Sequence, residues 1–518
     1  MNMNLSSNAI TELEQAVGKE NLTLETDVLE TEMLNTLGIT RTIIGIVRPN
    51  STNQVRDIVA IANKYLLPLH PISTGRNIGY GDKIPPTNGQ LLVDLRGMNR
   101  IREYDPVRGH VVIEPGVTQK QLFDYLLNEN APWMMDVTGA GERTSIIGNT
   151  LEGGFGHTPL GDRRREINGL EAILGNGQLL KPTDFPNIGP DISGIFVQSN
   201  FGIVTAMNIS LYPKPERMES FMMTTKYDRG LGDLVECVRG LRQRRIATSL
   251  VHIADPVRML VTLGVSEQCR KENPIFTPEK ASSILSKLFF KKQFWTALGG
   301  IYGSEDEVRS KKKDIRRAAN EVGHSVMFFS DRRIDYIRRL GKMAGFTSFG
   351  RNVENAMNQY GELQRFMEGI PSSLAEENIN KGMNEEKRVG LVWISPTFTA
   401  SGETARNVYD LSTAYFREYG FELPLTITLV RPEKAVGIMN IRFDKSKDDE
   451  RQRAHQLYHE LPEAFAKHGI FTYRASAMAM EQPLIVPNPS NWEVFKSLKK
   501  ALDPNGIISP GRYRIGLD

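Results

Sequence analysis

Cysteine is nearly absent from this chain: two thiols, Cys237 and Cys269, in 518 residues. So few exclude a disulfide framework, and neither sits in a metal-binding spacing. The eight histidines are scattered, with no HExxH or CxxC stretch, so a structural or catalytic metal is not expected. Neither sign of charge is in real excess, 64 basic against 61 acidic residues for a net +3, which speaks against a nucleic-acid partner and against a polybasic membrane anchor. The basic runs RQRR (242–245), KKK (311–313) and DRRR (162–165) read as solvated faces. No apolar run reaches the roughly 18 residues that span a bilayer. The opening MNMNLSSNAITELEQAVG lacks the basic region and apolar stretch of a signal peptide. A cytoplasmic protein without a membrane partner is expected.

What is present is ordinary globular composition, 40% hydrophobic and 24% charged, in a chain long enough for two or three domains. Residues 1–37 look like an acidic helical arm. From 40 the punctuation tightens: TIIGIV reads as a strand, and Ser51 or Thr52 can cap a helix whose apolar positions Val55, Ile58, Val59 and Ala62 repeat at helical spacing. LPLHPIS, GQLLVDL and GHVVIEPGV read as strands, TQKQLFDYLLNENAP as a second capped helix, and LEAILGNGQLLKP as a hairpin turning at Asn176-Gly177. Prolines 213 and 215 mark a boundary, giving a first domain of 38–216. Beyond it, FMMTTKY, FWTALGGIYG, HSVMFFS, GLVWISPTF, LPLTITLV and VGIMNIRF alternate with charged helices at 304–321, 403–418 and 447–468. That rhythm predicts an antiparallel sheet layered with helices over 217–480. A terminal segment, 481–518, contains a helix and a glycine-rich tail. The whole reads as an α+β fold.

The chemistry-bearing signal is glycine. STGRNIGYG (73–81) follows a strand without opening a helix, so it fails the context of a dinucleotide-binding GxGxxG turn. Taken alone it is as compatible with a tight turn as with a ligand. EPGVT (114–118), GAGERTSIIGNTLEGGFGHTPLGD (139–162) and SNFGIVT (199–205) repeat the theme in the same domain. Each combines glycines with Ser, Thr or Asn and so exposes backbone N–H groups and hydroxyls, the makings of anion-binding nests. Several such loops within one domain imply a single long ligand, with a pyrophosphate as the usual guest.

The segments PLHPISTGRNIGYG, IEPGVT, IIGNTLEGGFGHTPLGD, QSNFGIVT and ALDPNGIISPG, in this order, resemble the FAD-linked vanillyl-alcohol oxidase / para-cresol methylhydroxylase family. The resemblance covers nearly the whole chain. It implies a two-domain PCMH-type FAD-binding fold in which the first domain and the tail hold FAD and the middle region caps the isoalloxazine ring. Ser73, Thr74, Gly75, Arg76 and Asn77 would then line the pyrophosphate. Gly139, Gly141, Ser145, Gly148, Asn149, Gly153, Gly156 and Ile203 would follow the flavin, with Arg512 reaching the cofactor from the tail.

The same resemblance implies a phenolate-binding cluster. Tyr80 matches one tyrosine of the phenol-oxidising branch, and TYRAS (472–476) supplies Tyr473 and Arg474. A phenol has a pKa near 10, like tyrosine, and needs an adjacent cation and donors to ionise at neutral pH. An arginine and two phenolic hydroxyls meet that need. The structural alternative is a packed tyrosine and a surface ion pair.

Two departures stand out. Relatives that attach the flavin to histidine do so five residues before the proline of a strand end. Here GLVWISP puts Leu391 there, and NKGMNEEKRVG just upstream holds no tyrosine, so FAD is expected to be non-covalent. His157 is a remote alternative linkage. The acid expected near flavin N5 falls in MDVTGAGERTSIIGN, where Asp136 and Glu142 are both candidates, with Glu142 taken as the catalytic one. Lys434 and Leu425 stand where the cresol branch has a histidine and a glutamate.

The leading expectation is a flavin oxidase or dehydrogenase acting on a 4-alkylphenol or related phenolic by hydride removal at the benzylic carbon. The outcome would be hydroxylation, alcohol oxidation or desaturation, with oxygen or a cytochrome as acceptor and a homodimer as a candidate assembly. The alternatives are oxidation of a 2-hydroxy acid or sugar alcohol, with Arg474 clamping a carboxylate, and a catalytically silent flavin-binding partner subunit.

Overall fold

The computed structural model describes residues 5–181, 188–263, 275–288, 291–373, 389–480, 482 and 485–516, apart from the side chains of 348 and 349. Cys269 and most of the NKGMNEEKRVG stretch, 380–388, lie outside the described residues.

The first sheet has four strands. Ile43–Val47, Gln90–Asp94 and Leu69–Ile72 run parallel, with Gln90–Asp94 central. Every residue of that central strand is buried, which is why its sequence reads as a near-continuous apolar run rather than an alternation. The arm is helical at Ser7–Val17 and Thr26–Glu32, but between them Leu22–Thr23 adds an antiparallel edge strand that the sequence pattern does not announce. Helix Thr52–Tyr65 is capped by Ser51, whose hydroxyl accepts from the Gln54 N–H at 3.3 Å. Its Val55, Ile58 and Val59 meet Leu13 and Val17 of the arm in one core, each such buried side chain contributing about 1.5–3 kcal/mol. The second sheet is five-stranded and antiparallel, in the order Ile101–Asp105, His110–Ile113, Gly202–Ser210, Ile167–Leu174, Leu179–Leu180. The turn between the last pair holds Gly177 at φ 83.

The tail returns to the first sheet. Leu69 N–H donates to the Ile507 carbonyl and Ser509 N–H to the Leu69 carbonyl, both at 2.7 Å. The buried Lys499–Asp503 pair at 2.5 Å braces this loop, since Asp503 also accepts from the Ile507 and Ile508 N–H groups.

The middle region forms a nine-stranded antiparallel sheet. Ser325–Phe329, Arg217–Thr224, Thr296–Gly303, Val251–Ala254, Leu425–Arg431 and Lys434–Asp444 follow one another, and Val389–Ile394, Pro396–Thr399 and Phe471–Thr472 complete it. Helices Leu231–Gln243, Glu305–Glu321, Gly402–Glu418 and Asp448–Ala466 cover one face. Because side chains alternate along a strand, Ile253, Leu425, Ile427, Met439 and Ile441 join that core. His252, Ala254, Thr426, Ile438 and Asn440 face the other way, toward a cavity.

Candidate active site

A cavity of about 1620 Å³ separates the glycine loops of the first two sheets from the inner face of the nine-stranded sheet. Drug-sized ligands occupy roughly 300–1,000 Å³, so this space suits a dinucleotide and a second molecule together. Ser73, Thr74, Gly75, Arg76, Asn77, Gly139, Ser145, Gly148, Asn149, Ile203 and Arg512 line it, as do Tyr80, Tyr473 and Arg474.

The loops are knitted to one another. Ser145 N–H donates to Thr74 Oγ1 at 3.1 Å, and the Ser145 hydroxyl donates to the Pro115 carbonyl at 2.6 Å. Gly75 and Gly79 hold φ of 67° and 77°, the left-handed region that favours glycine. At Gly148 a Cβ would collide with Ser73 Oγ, whereas at Gly139 the nearest atom is His157 Nε2, 3.6 Å from the Cβ position. One wall is thus closed by packing and the other is free for backbone approach. Asn200 lines the cavity with a buried Oδ1 that has no partner, while its Nδ2 is held by the Ser509 and Ile515 carbonyls. A hydroxyl or imide N–H of a bound FAD would satisfy that acceptor, and the donor-rich loop opposite suits its pyrophosphate.

Five sequence-derived candidates do not line the cavity. Gly141 turns at φ 100 and gives its carbonyl to Gln119 Nε2 at 2.8 Å. Gly153, at φ 69, faces the Gln198 side chain. Gly156 lacks a Cβ because the Asp136 carboxylate lies against it. Glu142 belongs to a loop packed on helix Gln119–Asn128, its carbonyl accepting from Lys120 N–H at 2.9 Å. The other acid, Asp136, is buried against Arg163 at 3.2 Å and Thr158 Oγ1 at 2.6 Å, and burial raises its pKa despite the arginine. Neither carboxylate is presented to the cavity. Leu425 is fully buried in the core and Lys434 is exposed at a hairpin end, so neither occupies the cavity wall; Thr426, Ile438 and Asn440 do. Leu391 sits under Gly79, 3.4 Å from its Cβ position. His157 stacks between His252 and Phe366, with ring centroids at 4.6 and 5.3 Å.

The tyrosine–arginine cluster is brought together from three distant segments. The Arg474 guanidinium lies over the Tyr80 ring at 4.0 Å and bonds Asn77 Oδ1, tying it to the glycine loop. Tyr80 hydroxyl meets Ser395 Oγ at 3.1 Å. Burial, then the neighbouring Tyr80, pushes the Tyr473 pKa far up, so its hydroxyl remains a donor at neutral pH. The organising acid is Glu152, which the sequence motifs do not single out. It accepts from Arg474 Nε at 3.1 Å and from Tyr513 hydroxyl at 2.9 Å, and it pairs with Arg512. Two cations and one anion leave this corner with one uncompensated positive charge.

The inner sheet face contributes His252, also missed because its short strand gives no periodic signal. Its Nδ1 meets Thr428 Oγ1 at 2.9 Å and its Nε2 is buried without a partner. Burial holds its pKa well below 6.5, and burial brings His157 to about 4. Both rings are neutral at pH 7, so the His252 Nε2 is available to a ligand for a hydrogen bond whose direction follows the ring's tautomer.

Comparison with known proteins adds an independent line. Residues 43–182 match the family model described as FAD binding domain and residues 434–513 match FAD linked oxidases, C-terminal domain. The chain is 26% identical over 491 residues to the 4-cresol dehydrogenase [hydroxylating] flavoprotein subunit of Pseudomonas putida, covering 91% of this chain and 88% of that one. It is 27% identical to the 1'-carboxy-chondrochloren decarboxylase of Chondromyces crocatus, covering 99% and 98%. The solved 4-ethylphenol oxidase from Gulosibacter chungangensis, in complex with isoeugenol, superposes with a TM-score of 0.87 at 25% identity over 98% of this chain and 97% of that chain.

Proposed function

We propose, for a chain that belongs to the vanillyl-alcohol oxidase / para-cresol methylhydroxylase family of FAD-linked oxidoreductases, that its substrate is a para-substituted phenol oxidised at the carbon attached to the ring. The enzyme is an FAD-dependent oxidase or dehydrogenase. The observation that carries the phenol reading is the net positive corner at Arg474, with Tyr80 and Tyr473 beside it. Bound FAD supplies the hydride acceptor. The chain's own part is to ionise and orient the substrate. Arg474 favours the phenolate, Tyr473 donates to its oxygen, and the negative para oxygen pushes electrons toward the benzylic carbon as its hydride leaves. The oxidised substrate is a quinone methide, which takes up water or loses a side-chain proton; a benzylic alcohol gives the carbonyl compound directly.

Arg474 already gives its Nε to Glu152, which weighs against a bidentate clamp on a 2-hydroxy acid. The names of two relatives, a 4-cresol dehydrogenase and a 4-ethylphenol oxidase, support the phenol class, and the decarboxylase name supports a substrate that carries a carboxyl group. The term flavoprotein subunit supports a partner subunit for this chain, for which a cytochrome that takes the electrons is our reading. Leu391 at the attachment position supports non-covalent FAD.

Anaerobic mixing with a panel of 4-alkylphenols is the direct test. Bleaching of the oxidised flavin is expected, and no bleaching with any member would support the silent-subunit alternative. Arg474→Ala should lower phenol turnover about 100-fold with FAD content near wild type; equal loss of both would count against its assigned role.

A further inference from the structure

The cavity wall facing the glycine loops holds a second arginine, used neither for the cofactor nor for the phenol oxygen. Arg258 lies on helix Pro256–Thr262, directly after the strand that carries His252. Its Nη2 is spent on the fold, donating to the Pro424 carbonyl at 2.8 Å, the Ile438 carbonyl at 3.4 Å and Asn440 Oδ1 at 3.3 Å. These bonds fix the plane of the guanidinium. Its Nε is buried and has no partner, and among the described residues no carboxylate forms an ion pair with it. The nearby acid, Asp255, caps the helix by accepting from the Arg258 backbone N–H at 2.7 Å, and burial pushes its carboxyl up to about 7. Asp255 thus uses an oxygen for the helix cap and makes no ion pair with the Arg258 guanidinium. Arg258 therefore stands on the cavity wall as a cation held by neutral acceptors alone, a costly arrangement in a protein interior, and a carboxylate reaching the rest of its guanidinium from the cavity is the group that would compensate it.

The position of Arg258 relative to the phenol corner narrows the ligand. It stands over the Trp393 ring at 5.9 Å, and Trp393 Nε1 donates to the Ile78 carbonyl at 3.1 Å. Trp393 is two residues from Ser395, the partner of the Tyr80 hydroxyl, so about 7 Å of extended strand separates the two contacts. On the neighbouring strand Ile438 packs against the same apolar cluster of Leu250, Val430 and Val436 as Tyr473 does, and Asn440 bonds Arg258. Phenol corner and arginine therefore lie along one inner sheet face, with apolar wall between them.

We infer that Arg258 anchors a carboxylate borne on the side chain of the phenolic substrate, so that the preferred substrates are 4-hydroxyphenyl alkanoates rather than neutral 4-alkylphenols. The inference rests on the phenol reading of the same cavity. The ring end is read by Tyr80, Tyr473 and Arg474, the acid end by Arg258 with Asn440 holding it, and Trp393 packs between them.

Isothermal titration of the anaerobically reduced holoenzyme, which cannot take up a hydride, tests this at pH 7.5 without turnover. The ligands are 4-propylphenol, 3-(4-hydroxyphenyl)propanoate, its amide, and 3-phenylpropanoate. Wild type is expected to bind the hydroxyphenyl acid at least tenfold tighter than the amide. Arg258→Gln should remove that preference while leaving 4-propylphenol within twofold and the flavin absorbance unchanged. Equal affinity of acid and amide in the wild type overturns the inference with no variant needed. So does an Arg258→Gln protein that weakens acid and 4-propylphenol alike. If 4-propylphenol fails to bind but 3-phenylpropanoate binds in an Arg258-dependent way, the phenol reading falls while the acid subsite stands.

Discussion

Glu152 is the residue whose removal separates the electrostatic account of the site from a purely structural one. A full positive charge about 4 Å from a phenolate oxygen, at an effective dielectric near 20, contributes about 4 kcal/mol. At 1.36 kcal/mol per pH unit that moves a phenol from a pKa near 10 to about 7. Arg474 and Arg512 supply two charges and Glu152 cancels one. A phenolate on the far side of Arg474 would feel Glu152 at about 7 Å as a repulsion of about 2 kcal/mol. Glu152→Gln keeps the shape and the acceptor for Tyr513 but deletes that repulsion. The bound phenol should therefore ionise between one and two pH units lower than in the wild type. The same substitution strands two guanidinium groups in a site where Arg474, Glu152 and Arg512 side chains are only 9%, 13% and 19% exposed, and should cost about 3 kcal/mol of stability. The assay is the phenolate difference spectrum of a bound, non-oxidisable 4-substituted phenol, titrated with pH, beside a thermal melt. A lower melting temperature with an unchanged or raised phenol pKa would refute the reasoning, because it would mean that the charge of this corner does not reach the phenol oxygen.

Acid precipitation of the purified protein should leave yellow FAD in the supernatant, since the leucine at 391 offers no nucleophile to the flavin; a yellow pellet contradicts this. Asp255 gives a stability signature in pH. Its folded pKa is raised from 3.8 to about 7 by burial, so the stability linked to its protonated form is complete below 3.8 and is lost as pH rises through 7. Asparagine caps a helix as well as aspartate, so Asp255→Asn should flatten the decline between pH 4 and 7 and exceed wild type at pH 8 by on the order of 4 kcal/mol at most. Identical pH dependence of the two melting curves would show that Asp255 is ionised in the folded protein.

The glycine-lined wall of the cavity was legible because backbone that approaches another group closely or turns at positive φ leaves a compositional trace. Gly75, Gly79 and Gly139 carry it, and the caps at Ser51 and Ser145 follow from local hydrogen bonding. The same trace cannot tell approach to a ligand from approach to the protein itself, which is how Gly156, packed on Asp136, came to stand beside Gly148 as a candidate. The substrate side depends on strand register, and there a slip of one residue exchanges the two faces of a sheet. Leu425 and Thr426 are neighbours in sequence, yet one lies in the core and the other on the cavity wall. Glu152 meets Arg474 across 322 residues, and Arg258 acquires its role only from the carbonyls of Pro424 and Ile438. No local pattern encodes such meetings, because a single polar residue in an apolar strand looks alike whether it faces water, a helix or a substrate. Arg258 and His252 each leave a buried polar atom without a partner on the cavity side of the sheet, as Asn200 does on the opposite wall. That is a property of the assembled sheet, which no motif in the sequence records.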